Sequence, residues 1–260
     1  MTHPAAPVSV SYDERQARAA FTLYHEKGNI ITAAMVSALR AALETIAENH
    51  RLKLITIEGA GRDFSFGASI PEHAPGEIDR VLPDMHALIH DLLDAPAVTA
   101  ALVRGRCFGG GFELALACDF IFAETDARFA LPEIALGVFP PAASALLPMR
   151  VGYAAAARAI LTGATFSAGD RALDPLLTVT ASPGELAQAV DQWFARHLQP
   201  RSAAALRHAA AAARLGLAAH VRAVLPELER LYLQDLMQTQ DAVEGIAAFM
   251  ARRDPRWTDR

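Results

Sequence analysis

In GRCFGGGFELALACDF, residues 105–120, three consecutive glycines, Gly109, Gly110 and Gly111, run into an apolar segment that carries a single acid, Glu113. A β-type run, Thr99 to Val103, precedes them, and an Ala- and Leu-rich helical run, Leu114 to Ala117, follows. Strand, glycine turn and helix start together bring backbone N–H groups to a ligand without Cβ interference. The partial positive charge of a helix start suits a carbonyl oxygen that gains negative charge. Glu113, one turn on, is then placed to act on atoms beside that carbonyl.

The strand pattern extends outward from this turn. Val8 to Tyr12, Ala19 to Leu23, Leu52 to Glu58, Asp119 to Ala123 and Arg128 to Leu131 read as strands. Thr32 to Asn49 reads as a helix with Thr32 as cap, and Ile78 to Leu93 as an amphipathic helix. The repeated β-α-β order predicts parallel pairing and an α/β layered core. From about residue 142 the pattern is almost all helical. Helices are expected at Ala154 to Leu161, from Ser167, and at Pro183 to Leu198, Ser202 to Leu215, Val221 to Gln238 and Val243 to Ala251. A soft boundary near residue 195 divides an α/β core, 1–195, from a helical C-terminal region, 196–260.

Composition narrows the function classes. The 260 residues are 52% hydrophobic and 20% charged, enough to bury a large core. A net charge of −5 does not favour nucleic acid or an anionic membrane as partner. The N-terminal MTHPAAPVSVSYDE lacks a basic region followed by an apolar one, so no secretory leader is expected and a cytoplasmic location is. The apolar region from Phe129 to Met149 holds Glu133 and Pro132, Pro140, Pro141 and Pro148, which excludes a regular membrane-spanning helix. The two cysteines, Cys107 and Cys118, read as small buried apolar residues of a reducing compartment.

Glu133, in ALPEIALG, is a second isolated acid with no basic residue within four positions. Both acids follow parallel-type strands, so they could converge at one crevice. Close together they could not both ionise easily, and one could then serve as acid and the other as base on a single water. The loop RDFSFGAS, residues 62–69, follows another strand and could supply a second N–H to the same oxyanion. Other groupings are weaker. His73, His86 and His90 lack a metal-site pattern, and His86 and His90 read as a solvated helix face. Ser65, Ser69 and Ser144 sit in no GxSxG elbow, and the glycine run has neither P-loop nor GxGxxG spacing.

These residues resemble the enoyl-CoA hydratase/isomerase (crotonase) family. The similarity runs through 103–137, with GRCFGGGFELALACDFIFAETDARFALPEIALG at 105–137. It continues in GRDFSFGAS (61–69), VGYAAAARAILTGATFSA (151–168) and DAVEGIAAFMARRDPRW (241–257). The resemblance implies a crotonase-like spiral β-β-α superhelix, whose helical C-terminal region assembles homotrimers or dimers of trimers. It implies acyl-CoA substrates, coenzyme A arriving as part of the substrate, and no metal or other cofactor. By position, Ala68 and Gly110 match the two oxyanion N–H donors, and Glu113 and Glu133 the two catalytic glutamates of the hydratases. Phe66, Ser69, Phe139 and Pro141 are expected in the acyl pocket, and Arg252 and Arg253 against a CoA phosphate.

Two departures bear on the substrate. Ser69 stands where ordinary hydratases carry an acid. FPPAASALLP (139–148), bulkier and more rigid, replaces a glycine-rich PGxGG loop. FSFGASIPEH (64–73) and VFPPAASALLP (138–148) are most similar to the family's cyclic dienoyl-CoA hydratases, which implies cyclohexa-1,5-diene-1-carbonyl-CoA and anaerobic aromatic degradation. The alternatives are a short-chain enoyl-CoA hydratase or isomerase, a ring-opening 6-oxocyclohex-1-ene-1-carbonyl-CoA hydrolase, and a non-catalytic acyl-CoA-binding scaffold.

Overall fold

The computed structural model describes residues 6–74 and 76–260. Residues 1–5, part of the stretch read as lacking a leader, lie outside the described residues. In chain order the strands are β1 (Val8–Tyr12), β2 (Arg18–Leu23), β3 (Leu54–Gly59), β4 (Val98–Val103), β5 (Arg106–Phe108), β6 (Phe120–Glu124), β7 (Arg128–Ala130), β8 (Phe166–Ser167) and β9 (Leu177–Ala181). The helices are α1 (Ala33–Ile46), α2 (Ile78–Leu93), α3 (Gly110–Leu116), α4 (Pro141–Val151), α5 (Tyr153–Thr162), α6 (Leu186–His197), α7 (Ala203–Arg230) and α8 (Gln240–Met250).

The large sheet has the order β1-β2-β3-β4-β6-β9. Only the β1–β2 pair is antiparallel; the others are parallel, as the β-α-β order predicts. β4 (VTAALV) is buried along its whole length, as a central parallel strand covered on both faces must be. A small sheet, β5-β7-β8, forms beside it. The chain therefore spirals: β4-β5-α3, then β6-β7 and a 3₁₀ turn (Pro132–Leu136) into α4. Each circuit places one strand in the large sheet and one in the small sheet, and the turn that follows β5 or β7 carries one of the two acids. On α1, Met35, Leu39, Leu43 and Ile46 are buried, and the Thr32 hydroxyl accepts from Met35 N at 3.2 Å.

Several expectations change. The segment from Ser167 is no helix: Phe166 and Ser167 pair antiparallel with β7, and Asp170 then caps a short 3₁₀ turn by accepting from Ala172 N. Phe166 is buried, and pairing as a strand carries it into the core. The nearly all-helical reading beyond 142 missed β9, whose alternating LTVTA pattern lies parallel on β6. The two helices expected at 202–215 and 221–238 are one helix, α7, continuous through Gly216. It ends in a π turn (Leu231–Asp235) and a 3₁₀ turn (Leu236–Gln238). FPPAASALLP is no loop but the start and body of α4, with Pro141 in the first turn where its missing N–H costs nothing. His86 is buried, not solvated: α7 covers α2, and His86 Nδ1 lies 2.6 Å from Glu229 Oε2.

One buried ion pair pins α7 to the sheet. Arg214 Nε donates to Asp119 Oδ1, and its two terminal nitrogens donate to the Ala95 and Ala97 carbonyls, each at 2.7 Å. Asp119 Oδ2 also accepts from Thr99 N at 2.8 Å, which ties the entry of β6 to β4. The guanidinium fork answers four acceptors that nothing apolar could satisfy. Arg214→Ala is expected to lower unfolding free energy by about 3–5 kcal/mol, because the part-buried Asp119 loses its cation and the Ala95 and Ala97 carbonyls lose their donor. Urea titration measures this, and a loss below about 1 kcal/mol would show that α7 is held by its apolar face instead.

Candidate active site

Backbone pairing draws three segments to one point. Residues 64–66 run beside β5: Phe64 N donates to Arg104 O at 2.9 Å, Ser65 N to Arg106 O and Phe108 N to Ser65 O at 3.0 Å. Ser65 Oγ donates to Asn29 O at 2.7 Å and accepts from Gly67 N at 3.1 Å, which locks the turn before Ala68. β7 pairs in parallel with β5, and Gly109 N donates to Ala130 O at 2.9 Å, so the chain reaches Glu133 beside the glycines.

The glycines are needed for this packing. Gly109 has φ +49° and ψ −127°, which side chains avoid, and a Cβ there would come within 2.6 Å of Glu133 Oε1. A Cβ on Gly111 would lie 2.6 Å from Ser65 Cβ. Gly110 faces Ala68, a Cβ on it falling 3.3 Å from Ala68 N. Gly110 begins α3, so its N–H has no intrahelical acceptor. Around Ala68 the bridge bonds use its neighbours, Ile31 N to Gly67 O and Ser69 N to Ile31 O, and turn the Ala68 N–H away from Ile31. Two unused N–H groups from separate segments thus stand side by side.

Both acids are enclosed. Glu113 Oε1 accepts from Ala143 N at 2.9 Å, at the first turn of α4. That helix has no side-chain cap of its own, so Glu113 serves as its cap from across the site. Burial raises the Glu113 carboxyl to about 7, against the opposing pull of the Ala143 and Ala142 N–H groups. Glu133 sits in the 3₁₀ turn, its Oε2 buried without a partner. Burial, and then the charge of Glu113, raise its carboxyl further, to about 8. Near neutral pH the pair therefore shares one proton and one charge, and the N–H groups at the head of α4 favour the charge on Glu113.

These groups line one apolar cavity with Ile31, Val36, Ala68, Gly110, Met85, Phe139, Pro140 and Pro141. Its free space is about 50 Å³, room for water. Phe139 and Pro141 line this cavity. Phe66 and Ser69 lie off the cavity: Phe66 is at the surface under the Arg106 guanidinium, and Ser69 is used in backbone pairing and turn bonds. Arg253 is paired with Glu244, and Arg252 is exposed on the same terminus. Cys107 and Cys118 are free and buried, and burial raises both thiols. Sequence reasoning missed two polar residues of the wall, His73 and Tyr232. His73 Nδ1 is 2.9 Å from Ser69 O, and burial lowers its pKa, so it stands neutral. His73 closes the FSFGASIPEH stretch, which could have pointed to it; no local motif marks Tyr232, which arrives just past the end of α7.

A sequence model described as enoyl-CoA hydratase/isomerase matches residues 15–260. Cyclohexa-1,5-dienecarbonyl-CoA hydratase of Thauera aromatica is 38% identical over 260 residues, all of this chain and all of that protein. 2,3-Dehydroadipyl-CoA hydratase of Escherichia coli is 31% identical, covering 89% of this chain and 91% of its own. The crystal structure of an enoyl-CoA hydratase from Mycobacterium avium subsp. paratuberculosis superposes with a TM-score of 0.86 at 28% identity. That match covers 98% of this chain and 100% of that one. Among the described residues no helix is long and apolar enough to cross a membrane.

The raised Glu133 carboxyl has a consequence for stability. The folded state keeps a proton that the unfolded chain releases near 4.5, so stability falls as pH rises from there to about 8. Glu133→Gln removes this dependence. Its melting temperature relative to the unsubstituted protein is expected to climb between pH 5 and pH 9; a constant difference would place the carboxyl at an ordinary pKa.

Proposed function

The chain belongs to the enoyl-CoA hydratase/isomerase family, and on that premise we propose that it adds water to an α,β-unsaturated acyl-CoA thioester. The observation that carries this reading is the pair of enclosed acids, one charged and one protonated, beside two unused N–H groups. The thioester oxygen accepts from Ala68 and Gly110, which stabilise the enolate-like charge that develops there. Glu113 removes a proton from water as its oxygen bonds to the β carbon. Glu133 delivers its proton to the acyl group, and a proton exchange between the acids through solvent restores the starting state. A retained pair of acids in this family supports hydration over isomerisation alone.

We further propose a cyclic dienoyl substrate, cyclohexa-1,5-diene-1-carbonyl-CoA. The Thauera relative, similar over its full length, supports it, as does the rigid Phe139–Pro140–Pro141 wall at the head of α4. On that ring the hydroxyl enters at the β carbon and the proton at the far end of the diene, so Glu133 serves the distant carbon. Trimeric assembly in the cytoplasm completes the proposal; exposed Tyr153, Leu161, Leu215 and Phe249 support association between copies.

Incubation with the cyclic dienoyl thioester is expected to give a product heavier by one water with CoA retained, read by mass spectrometry. Hydration of crotonyl-CoA alone would sink the cyclic assignment, and released CoA would identify a thioester hydrolase. Glu113→Gln and Glu133→Gln are each expected to lower kcat by roughly 10²–10⁴ while acyl-CoA still binds. Gln at 113 can still accept from Ala143 N, so α4 keeps its cap. Near-normal turnover in either variant would refute the paired-acid mechanism. The pH profile of kcat/KM is expected to be a narrow bell, rising as Glu113 loses its proton near 7 and falling as Glu133 loses its proton near 8. A rate that stayed level from pH 5 to pH 10 would contradict the assignment.

A further inference from the structure

Tyr232 is among the largest fully buried side chains, 1% exposed, and its hydroxyl meets no partner in the protein. The same residue lines the cavity that holds Glu113 and Glu133. Its ring is fixed by edge-on contact with Phe139, centroids 5.4 Å apart, and by a cluster that includes Ile78, Leu82 and Ile246. Phenylalanine would satisfy that apolar setting without burying an unpaired oxygen, so packing accounts for the ring and not for the hydroxyl. Tyr232 also sits on the π turn Leu231–Asp235, a local departure from α geometry of the kind that recurs at functional sites.

The chemistry of the site narrows what the hydroxyl can meet. Burial, then the charge carried by the Glu113–Glu133 pair, holds the phenol above its ordinary range, so it stays protonated and donates. The thioester oxygen already has two donors, Ala68 N and Gly110 N. The hydrocarbon part of an enoyl group offers no acceptor. Glu133 Oε2 is an unpaired oxygen of the same cavity, but the two groups stand unbonded to each other; among the oxygens of the reactants the one that remains is the one the reaction introduces. We propose that the Tyr232 hydroxyl donates a hydrogen bond to the oxygen of the attacking water and, after addition, to the same oxygen as the product hydroxyl. The bond would orient the water lone pair away from Tyr232 and towards the β carbon while Glu113 takes the proton. The phenol itself exchanges no proton in the step. This assignment rests on the hydration reading above.

Tyr232→Phe tests it by removing one atom. Thermal melting is expected to be unchanged or slightly higher, since an unpaired buried hydroxyl is lost. Hydration kcat is expected to fall roughly tenfold or more, with KM for the unsaturated thioester within about threefold. The inhibition constant of the β-hydroxyacyl-CoA is expected to weaken about five- to tenfold, while that of the saturated cyclohexanecarbonyl-CoA stays within about twofold. A lower melting temperature would make the hydroxyl structural. Unchanged kcat, or equal weakening of both thioesters, would overturn the assignment. Failure of the hydration reading looks different. A protein that hydrates no thioester would lose that reading, while direct binding of the hydroxylated and saturated thioesters would still decide whether Tyr232 recognises the added oxygen.

Discussion

Two carboxyl groups share an apolar enclosure with no Lys or Arg among the residues that line it, and the surrounding structure is arranged to make this tolerable. Burying an unpaired carboxylate is costly, so one of the two keeps its proton. Which one is decided locally. Glu113 receives N–H groups from the start of α4, and Glu133 receives only its own backbone N–H and the repulsion of Glu113. The chain's well-placed cations are engaged elsewhere: Arg214 with Asp119, and Arg150 with the Leu116 and Cys118 carbonyls. A guanidinium in the cavity would lower both carboxyl pKa values and leave neither group protonated near neutral pH.

The glycines answer the same constraint from the backbone side. Gly109 adopts a φ of +49° that side chains avoid, which seats it against Glu133, and Gly110 faces Ala68 where the 64–66 segment is zipped to β5. The small sheet fixes the separation between the segment after β5, which holds Gly109 and Glu113, and the turn after β7, which holds Glu133.

How much of this was legible in the sequence follows from how local each cause is. The glycine run, the isolated acids and the strand alternation act within a few residues, so they could be read, and Thr32 was readable as a cap because its acceptor role lies three residues on. Phe166 could not be placed, since its strand exists only when β7 is beside it. His86 looked solvated because the element that buries it, α7, lies more than a hundred residues away. The proline pair in FPPAASALLP suggested a loop, but its helix is capped by Glu113, thirty residues upstream. Tyr232 carried no signal at all, since an aromatic at the end of a long helix is ordinary until the π turn and the cavity are seen together.

The capping of α4 by Glu113 joins two properties that are usually treated apart. Phe139, Pro140 and Pro141 form part of the cavity wall, while Ala142 and Ala143 hold Glu113. A displacement of the head of α4 that widens the wall also lengthens the N–H bonds to Glu113 and removes what opposes burial. Glu113 then becomes harder to ionise. Proline at 140 and 141 resists such displacement by restricting backbone freedom where a glycine-rich loop would yield. The shape of the cavity wall and the ionisation of Glu113 are thus set by one helix start, and a change made there for one alters the other.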